Sequence, residues 1–305
     1  MTFGGVTIGT VIDIVDLARV RQWTKNVLCF AGVIFGGRYG DPQAWKTASL
    51  VFLAFCLASS TVYVANDLHD SRQDRAHRRK HMRPIAAGRI GPRLAWTLMA
   101  ACFAGSLATA WMTSPTLLAA VLLYLINNAI YNAVLKQVPI LDVLSITFGF
   151  VIRLLAGIYT LGDVPTAWIV MCVFFLACFL GFAKRRAELN ALLLASPAGV
   201  DPSCHRPVLA GYSVGFLDCL VSSAATMTVL SYALFATVSH KNPSLIVTVP
   251  FVFYAVMHYQ RMLMTTSFGE EPDAAAVQDP HLVLAGVLWL TTFMVVWVSD
   301  WRFFK

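Results

Sequence analysis

Apolar runs of about twenty residues recur along this chain and restrict it to one class of fold. Of its 305 residues, 58% are hydrophobic and only 13% are charged, and the mean hydropathy is +0.67. A run of that length is long enough to cross the hydrocarbon core of a bilayer as a helix. The chain is therefore predicted to be an all-α integral membrane protein, although its length alone would suggest two soluble domains.

Nine segments qualify as candidate membrane spans, and together with their connections they form a single transmembrane domain over residues 1–305. The first of them is short and rich in glycine. Residues 1–25 carry five charged side chains and no cleavage site, so they are predicted to be an amphipathic segment at the membrane surface. The spans cover residues 26–40, 48–66, 93–112, 115–134, 140–160, 166–184, 213–237, 244–266 and 282–299.

Lysine and arginine indicate the orientation of the chain. With nine spans, sixteen of these residues fall on the face that holds the N-terminus and five on the opposite face. Because basic residues concentrate on the cytoplasmic side, the basic face is predicted to be cytoplasmic in a plasma-membrane protein. Its two largest connections, at about 67–92 and 185–212, are predicted to be cytoplasmic active-site loops.

Three acids and an amide crowd the end of the second predicted span, in the order Asn66, Asp67, Asp70, Asp74. On a helix, 100° per residue places the three carboxylates within about 60° of one another. Like charges at this spacing repel one another, and a cation between them would turn that repulsion into binding. Carboxylates that hold Mg²⁺ beside substrate phosphates are the usual form of such a site. The alternative is a solvated polar cap on a membrane helix.

A basic run follows the acids directly and includes Arg72, Lys80 and Arg83. Positive-inside topology and attraction to lipid head groups explain part of it. A metal–polyphosphate site also requires this arrangement, with acids for the metal and bases for the remaining phosphate oxygens. Nucleic-acid binding is not expected, because the chain has no soluble domain to present such a run.

A third group lies between spans four and five and consists of Tyr131, Lys136 and Asp142. Charges at or inside a membrane are costly and usually functional, so Asp142 is predicted to contact a ligand or a metal. Arg153 lies about three turns further into the membrane. It is either a structural partner for a residue of another span or a functional residue. For Arg261 the structural interpretation is favoured.

The fourth group, at the end of span six, reads Lys184-Arg185-Arg186-Ala187-Glu188. It is interpreted either as a topogenic stop signal or as a second anion clamp.

The pattern Asn-Asp-x-x-Asp-x-x-x-Asp, followed by His-x-x-Lys-x-x-Arg-Pro and a later glycine, resembles the UbiA superfamily of intramembrane prenyltransferases. The resemblance covers essentially the whole chain and implies a UbiA-like bundle of about nine helices. Two departures stand out. Arg78 occupies a position where many members carry proline, and the basic group at Lys184 replaces a second motif, Asp-x-x-x-Asp.

With this second departure, the chain resembles a branch of the superfamily that transfers a phosphorylated pentose to a lipid. That transfer makes a precursor of cell-wall arabinan. The segment Arg19 to Asn26 and the Tyr131–Asp142 region also resemble that branch. The resemblance implies 5-phosphoribosyl 1-diphosphate as donor, a polyprenyl (decaprenyl) phosphate as acceptor and Mg²⁺ as cofactor.

The resemblance also implies a role for each group of residues. Asp67, Asp70 and Asp74, helped by Asn66, would hold Mg²⁺ on the donor diphosphate, and Lys80 and Arg83 would neutralise its other oxygens. Lys184 and Arg185 would bind the donor 5-phosphate, and Glu188 would bind a ribose hydroxyl. Lys25 or Lys136 would attract the lipid phosphate.

Two alternatives stay open at this point. One is a UbiA-type enzyme that moves a prenyl group from a prenyl diphosphate to an aromatic acceptor in quinone synthesis. The other is a transporter or cation channel, which predicts carboxylates at mid-membrane. The expected partners are the donor, the lipid phosphate and the surrounding membrane lipid; the sequence is compatible with a homo-oligomer and does not set the oligomeric state.

Overall fold

Long helices dominate the structure, a computed structural model that describes residues 2–3, 6–76, 80–195, 207–238, 242–265 and 278–298. Two strands of two residues each, Thr2–Phe3 and Val6–Thr7, pair antiparallel near the N-terminus. The α-helices of the described residues are α1 (Ile8–Leu17), α2 (Ala31–Phe35), α3 (Pro42–His69), α4 (Ser71–Ala76), α5 (Pro92–Thr113), α6 (Pro115–Ala133), α7 (Leu141–Tyr159), α8 (Ala167–Ala195), α9 (Val214–Val238), α10 (Val249–Thr265) and α11 (Pro280–Val298).

Seven helices of the described chain are long and apolar enough to cross a membrane, namely α3, α5, α6, α7, α8, α9 and α11. Each coincides with one of the predicted spans. The prediction of an all-α fold is confirmed, because each of these runs forms a long helix in the structure.

The other two predicted spans are broken helices. Residues 26–40 run through the end of a 3₁₀ helix, Val20–Phe30, and then through the five-residue α2. Gly36 and Gly37 end α2, and the φ of +70° at Gly37 does not continue a right-handed helix. Residues 244–266 likewise divide between a 3₁₀ helix, Pro243–Thr248, and the 17-residue α10. The count of nine spans therefore stays a prediction.

Helix starts follow a local rule in which a polar or small residue precedes proline. The side chain of Asp41 accepts a hydrogen bond from the amide of Gln43, two residues on, and Pro42 occupies the first helical position. Proline suits that position because its missing N–H is not needed there, whereas the cap satisfies an amide that would otherwise lack a partner. The pairs that begin helices in this way are Asp41-Pro42, Gly91-Pro92, Ser114-Pro115, Asn242-Pro243 and Asp279-Pro280.

Both predicted active-site loops begin later than expected. α3 continues to His69 and α8 continues to Ala195, so the first residues of each predicted loop are helical. Neither stretch contains glycine or proline to interrupt the helix. Residues 77–79 and 196–206 of these connections lie outside the described residues.

The chain divides into two compact units. The first unit comprises residues 1–132 and 152–164, and in it α3 packs along α5 and along the 3₁₀ helix Val20–Phe30. Its main core consists of apolar side chains from these elements and from α6 and the second half of α7. A smaller core at the end of α3 brings Leu17 and Val64 against Ile85 and Ile90, next to the acidic segment.

The second unit comprises residues 133–151 and 165–305. In it α8 packs along α9, and α10 packs against α9 and α11. Its core is built on Phe179, Phe182 and Leu217, and it also holds Val143 from the first half of α7.

A prediction for the first unit concerns Gly157, at which α7 approaches the 3₁₀ helix Val20–Phe30. A Cβ at Gly157 would overlap the backbone of Cys29, including its carbonyl oxygen. Gly157→Ala is therefore expected to destabilise the protein by about 1–3 kcal/mol, because backbone cannot move aside as a side chain can. Thermal unfolding in detergent, followed by circular dichroism, measures the effect as a lower Tm.

The control for this prediction is Gly286→Ala in α11, where an added Cβ meets no atom within 4 Å. Alanine there is expected to leave Tm unchanged or to raise it, since alanine favours a helix over glycine by roughly 0.5–1 kcal/mol. Equal Tm values for the two variants would contradict the close approach at Gly157.

Candidate functional site

The acidic segment lies where α3 gives way to α4. Asn66 and Asp67 belong to the last turn of α3, Asp70 follows its last residue, and Asp74 lies in α4. The Asp70 amide donates to the Asn66 carbonyl over 2.8 Å, and the Asp74 amide donates to the Asp70 carbonyl over 2.9 Å. The predicted helix is therefore interrupted only around Asp70, whose ψ is 1°.

Asp67 and Asp74 are buried, and one arginine contacts both. Nη1 of Arg83 donates to Oδ1 of Asp67 over 3.1 Å and to Oδ2 of Asp74 over 2.7 Å. The two acidic side chains are 2% and 4% exposed, whereas that of Arg83 is 27% exposed. Arg83, predicted to bind phosphate, thus contacts two of the three carboxylates predicted to bind metal.

Arg19 completes this group, although sequence reasoning did not place it among the site residues. Its Nη2 donates to Oδ1 of Asp67 over 2.6 Å, and its guanidinium lies 4.8 Å from the centroid of the Tyr63 ring. The two paired residues are 48 positions apart, so no local pattern relates them. Charge balance is the one available signal, because buried acids at a membrane edge require cations. We call Arg19, Asp67, Asp74 and Arg83 the acidic cluster.

The remaining predicted residues of this segment are less buried. Asn66 and Asp70 are half-buried, whereas Arg72 and Lys80 are exposed. Within the described part of the chain, the Asp70 carboxylate takes part in no salt bridge. His77, from the basic motif, lies outside the described residues.

The side chains present suit a hard divalent cation by their chemistry. Asn66, Asp67, Asp70 and Asp74 offer the carboxylate and amide oxygens that Mg²⁺ prefers. Among the described residues, however, no three acids, histidines or cysteines converge closely enough to hold a metal. Arg83 instead places one cationic group against two of the acids. A metal bound to Oδ1 of Asp67 and Oδ2 of Asp74 would have to replace that guanidinium.

A cavity of about 630 Å³ also borders this segment. Leu68, His69, Ser71 and Arg75 contribute to its wall, and Trp96 lines it from α5. None of the three aspartates lines it. The cavity and the acidic cluster are therefore separate features of the first unit.

The second unit contains its own buried ion pair. Nε of Arg185 donates to Oδ2 of Asp142 over 2.5 Å, and Nη1 of Arg185 donates to Oε2 of Glu188 over 2.8 Å. The side chains of Arg185 and Asp142 are 3% and 0% exposed. Three residues predicted separately from the sequence are thus in direct contact.

Tyr212 joins this group and was also missed by sequence reasoning. Its hydroxyl donates to Oδ1 of Asp142 over 2.8 Å and accepts the amide N–H of Ile140 over 2.5 Å. That contact holds Ile140 at a φ of +71°, which is unfavourable for a β-branched residue. Burial raises the pKa of Tyr212 above its ordinary value, so the hydroxyl stays protonated as a donor. We call Asp142, Arg185, Glu188 and Tyr212 the arginine–aspartate group.

The predicted second anion clamp therefore consists of arginines that already hold acids. Arg186, beside Arg185, donates to Oδ1 of Asp218 over 2.6 Å and to the carbonyl of Leu263 over 2.5 Å. Lys184 precedes them in α8 and is half-buried. The other predicted residues that are half-buried are Lys25 on the 3₁₀ helix Val20–Phe30, Tyr131 near the end of α6, and Lys136 on a short 3₁₀ helix, Leu135–Gln137.

Arg153 contacts polar and aromatic side chains within the first unit. Its Nε donates to Oδ1 of Asn26 over 2.6 Å, and its Nη2 donates to the hydroxyl of Tyr124 over 2.9 Å. Its guanidinium also lies 4.5 Å from the centroid of the Tyr124 ring. These contacts join three elements around a buried charge. Arg261 is exposed, and its Nη2 lies 3.5 Å from Nδ1 of His258.

Residues 27–276 match the UbiA prenyltransferase family. The chain is 31% identical over 289 residues to a decaprenyl-phosphate phosphoribosyltransferase of Mycobacterium tuberculosis (strain ATCC 25618 / H37Rv), covering 92% of this chain and 93% of that protein. It is 30% identical over 282 residues to a protein of the same name from Corynebacterium glutamicum, covering 89% and 82%.

The fold is similar to that of a UbiA homolog from Archaeoglobus fulgidus, solved bound to DMAPP and Mg²⁺. The TM-score is 0.69 at 21% identity, over 94% of this chain and 98% of that one. At this identity, the likeness establishes the fold alone.

A prediction for the arginine–aspartate group is that Asp142→Asn lowers stability. The change leaves Arg185 buried with one carboxylate fewer, and breaking a buried ion pair costs about 3 kcal/mol. Thermal unfolding in detergent should show a clearly lower Tm.

The matched control is Asp13→Asn, because Asp13 pairs with Arg89, whose side chain is 44% exposed. An exposed pair contributes less than about 1 kcal/mol, so this variant should unfold close to the wild type. A wild-type Tm for Asp142→Asn would show that the buried pair does not stabilise the fold.

Proposed function

This chain belongs to the UbiA prenyltransferase family, and from that premise we propose that it transfers 5-phosphoribose to a polyprenyl phosphate. The donor is 5-phosphoribosyl 1-diphosphate, and diphosphate is released. The proposal rests on one observation above others. Relatives named for decaprenyl phosphate and phosphoribosyl transfer match about nine-tenths of this chain.

The charges at Lys184–Glu188, in the second half of α8, support this donor over a prenyl diphosphate. Where aromatic prenyltransferases usually carry a second pair of aspartates, this chain has Lys184 and two arginines. A phosphoribosyl donor carries a third phosphate, and cations suit that group better than a second metal site does. Lys184 and Arg185 are proposed to bind the 5-phosphate and Glu188 a ribose hydroxyl.

The acidic segment is proposed to hold Mg²⁺ on the donor diphosphate through Asp67, Asp70 and Asp74, with Asn66 assisting. When bound, the metal neutralises charge that develops on the leaving diphosphate. Arg83 supplies a guanidinium fork beside the same carboxylates. Arg72 and Lys80 are exposed cations next to them, suited to the remaining phosphate oxygens.

The acceptor supplies its own nucleophile in this reaction. A phosphomonoester has a second pKa of about 6, so its oxygen is largely ionised near neutral pH and needs no general base. That oxygen bonds to the anomeric carbon while the carbon–oxygen bond to diphosphate breaks. Lys25 or Lys136 is proposed to attract the lipid phosphate, with Tyr131 as a further contact. Asp142 is proposed to act on substrate binding through Arg185, which it orients.

We propose that this chemistry takes place at a membrane edge. The proposed orientation puts the acidic segment on the cytoplasmic side of the plasma membrane, where a water-soluble donor is available. The broken helices at residues 26–40 and 244–266 would complete nine spans. An apolar groove between spans would hold the polyprenyl chain.

A direct assay tests the proposal. Purified protein in lipid nanodiscs receives Mg²⁺, decaprenyl phosphate and donor labelled in the pentose. Label is expected to enter the organic phase only when both substrates are present, and to be absent after EDTA. A parallel reaction contains a prenyl diphosphate and an aromatic acid. Prenylation of that acid, with no pentose transfer, would establish the aromatic prenyltransferase alternative instead.

A further prediction concerns the carboxylates themselves. Asp67→Asn and Asp70→Asn are each expected to lower kcat for pentose transfer by roughly 100-fold or more, because a neutral amide compensates less charge on the metal. Asp13→Asn serves as the control and should retain activity. Near wild-type turnover in both site variants, with normal Tm, would remove these residues from the metal site.

A further inference from the structure

Arg83 occupies the position between two carboxylates that a metal ion would need. A single nitrogen, Nη1, lies 3.1 Å from Oδ1 of Asp67 and 2.7 Å from Oδ2 of Asp74. Both acids are almost fully buried, so neither reaches bulk water as an alternative partner. A divalent cation that binds these two oxygens would therefore compete with the guanidinium.

The need for a cation at this place is built into the fold. Asp67 lies in the last turn of α3, where the negative end of the helix dipole disfavours a carboxylate. Arg19 donates to the same Oδ1 atom of Asp67 over 2.6 Å. Two buried acids thus meet two arginines, and their charges balance without a metal. Mg²⁺ arriving alone would have to displace Arg83 and then remain close to its positive charge.

A diphosphate changes this balance. Its oxygens accept two parallel hydrogen bonds from an arginine as well as a carboxylate does. Arg83 can therefore exchange its carboxylates for phosphate oxygens, which frees Asp67 and Asp74 for the metal. Asp67, Asp74 and the phosphate oxygens would then together offer ligands to a metal.

The contacts of Arg83 permit such an exchange without refolding. Its backbone is fixed, because its amide donates to the Lys80 carbonyl over 3.0 Å and its carbonyl accepts the Ala87 amide over 2.8 Å. Its side chain is the most exposed of the three groups in this contact. Rotation of one side chain is sufficient.

We propose that Arg83 is an internal counter-cation that makes the acidic cluster selective for a metal–diphosphate complex over the free metal. The proposal rests on the proposed function, which places the metal at Asp67 and Asp74. Binding of metal and of diphosphate then favour each other, and this coupling is equal in both directions.

Manganese and inorganic pyrophosphate test the proposal without turnover. Binding of Mn²⁺ is followed by loss of the free-ion signal in electron paramagnetic resonance, with the Mn²⁺ held by pyrophosphate in solution subtracted. Wild type is expected to bind Mn²⁺ weakly, and pyrophosphate should raise that affinity by about 5-fold or more. Arg83→Gln is expected to bind Mn²⁺ alone about 5-fold more tightly or better, and to lose most of the effect of pyrophosphate.

The matched control is Arg89→Gln, which removes an arginine of the same connection whose carboxylate partner, Asp13, lies outside the cluster. It should behave as wild type in both measurements. Weaker or unchanged binding of Mn²⁺ alone by folded Arg83→Gln would overturn the proposal while leaving the metal site in place. Absence of Mn²⁺ binding by all variants, with and without pyrophosphate, would overturn the proposed metal site itself.

The wild-type protein keeps the test decisive if Arg83→Gln does not fold. In that case the proposal requires that pyrophosphate raise the Mn²⁺ affinity of the wild type by about 5-fold or more. An affinity that does not change with pyrophosphate would overturn it.

Discussion

Buried charge at the ends of membrane helices is the constraint on which the site and its surroundings depend. An ion removed from water loses several kcal/mol of solvation unless partners replace it. The described residues supply those partners from distant parts of the chain. Arg19 and Arg83 supply them for Asp67, and Arg185 and Tyr212 for Asp142. The chain segments that carry these partners are thereby fixed against α3 and α7.

The structure meets this constraint in two ways. At the helix ends, buried carboxylates are paired with arginines. Around Arg153 the partners include neutral oxygen atoms and aromatic rings, from Asn26, Tyr124 and Phe55. These contacts connect α7 with three other elements of the first unit.

Features determined by local chemistry could be predicted from the sequence, whereas long-range pairings could not. Seven of the nine predicted spans coincide with long helices of the described chain, because the length and apolar composition of a run are properties of the local sequence. The motif at Asn66 indicated the family. Tyr212 lies 70 residues from Asp142, and only the packed chain brings them together. The break near residues 26–40 had a visible cause in Gly36 and Gly37, yet its 3₁₀ geometry depends on close packing against α3 and α7.

The capped prolines at the helix starts bear on how the protein is made. A helix that begins at Asp41-Pro42 or Asn242-Pro243 has its first residue chosen by its nearest neighbours in the chain. Its register does not wait for tertiary contacts, which arise only after later segments have been synthesised. The start of each such helix is therefore defined before the helices pack against one another.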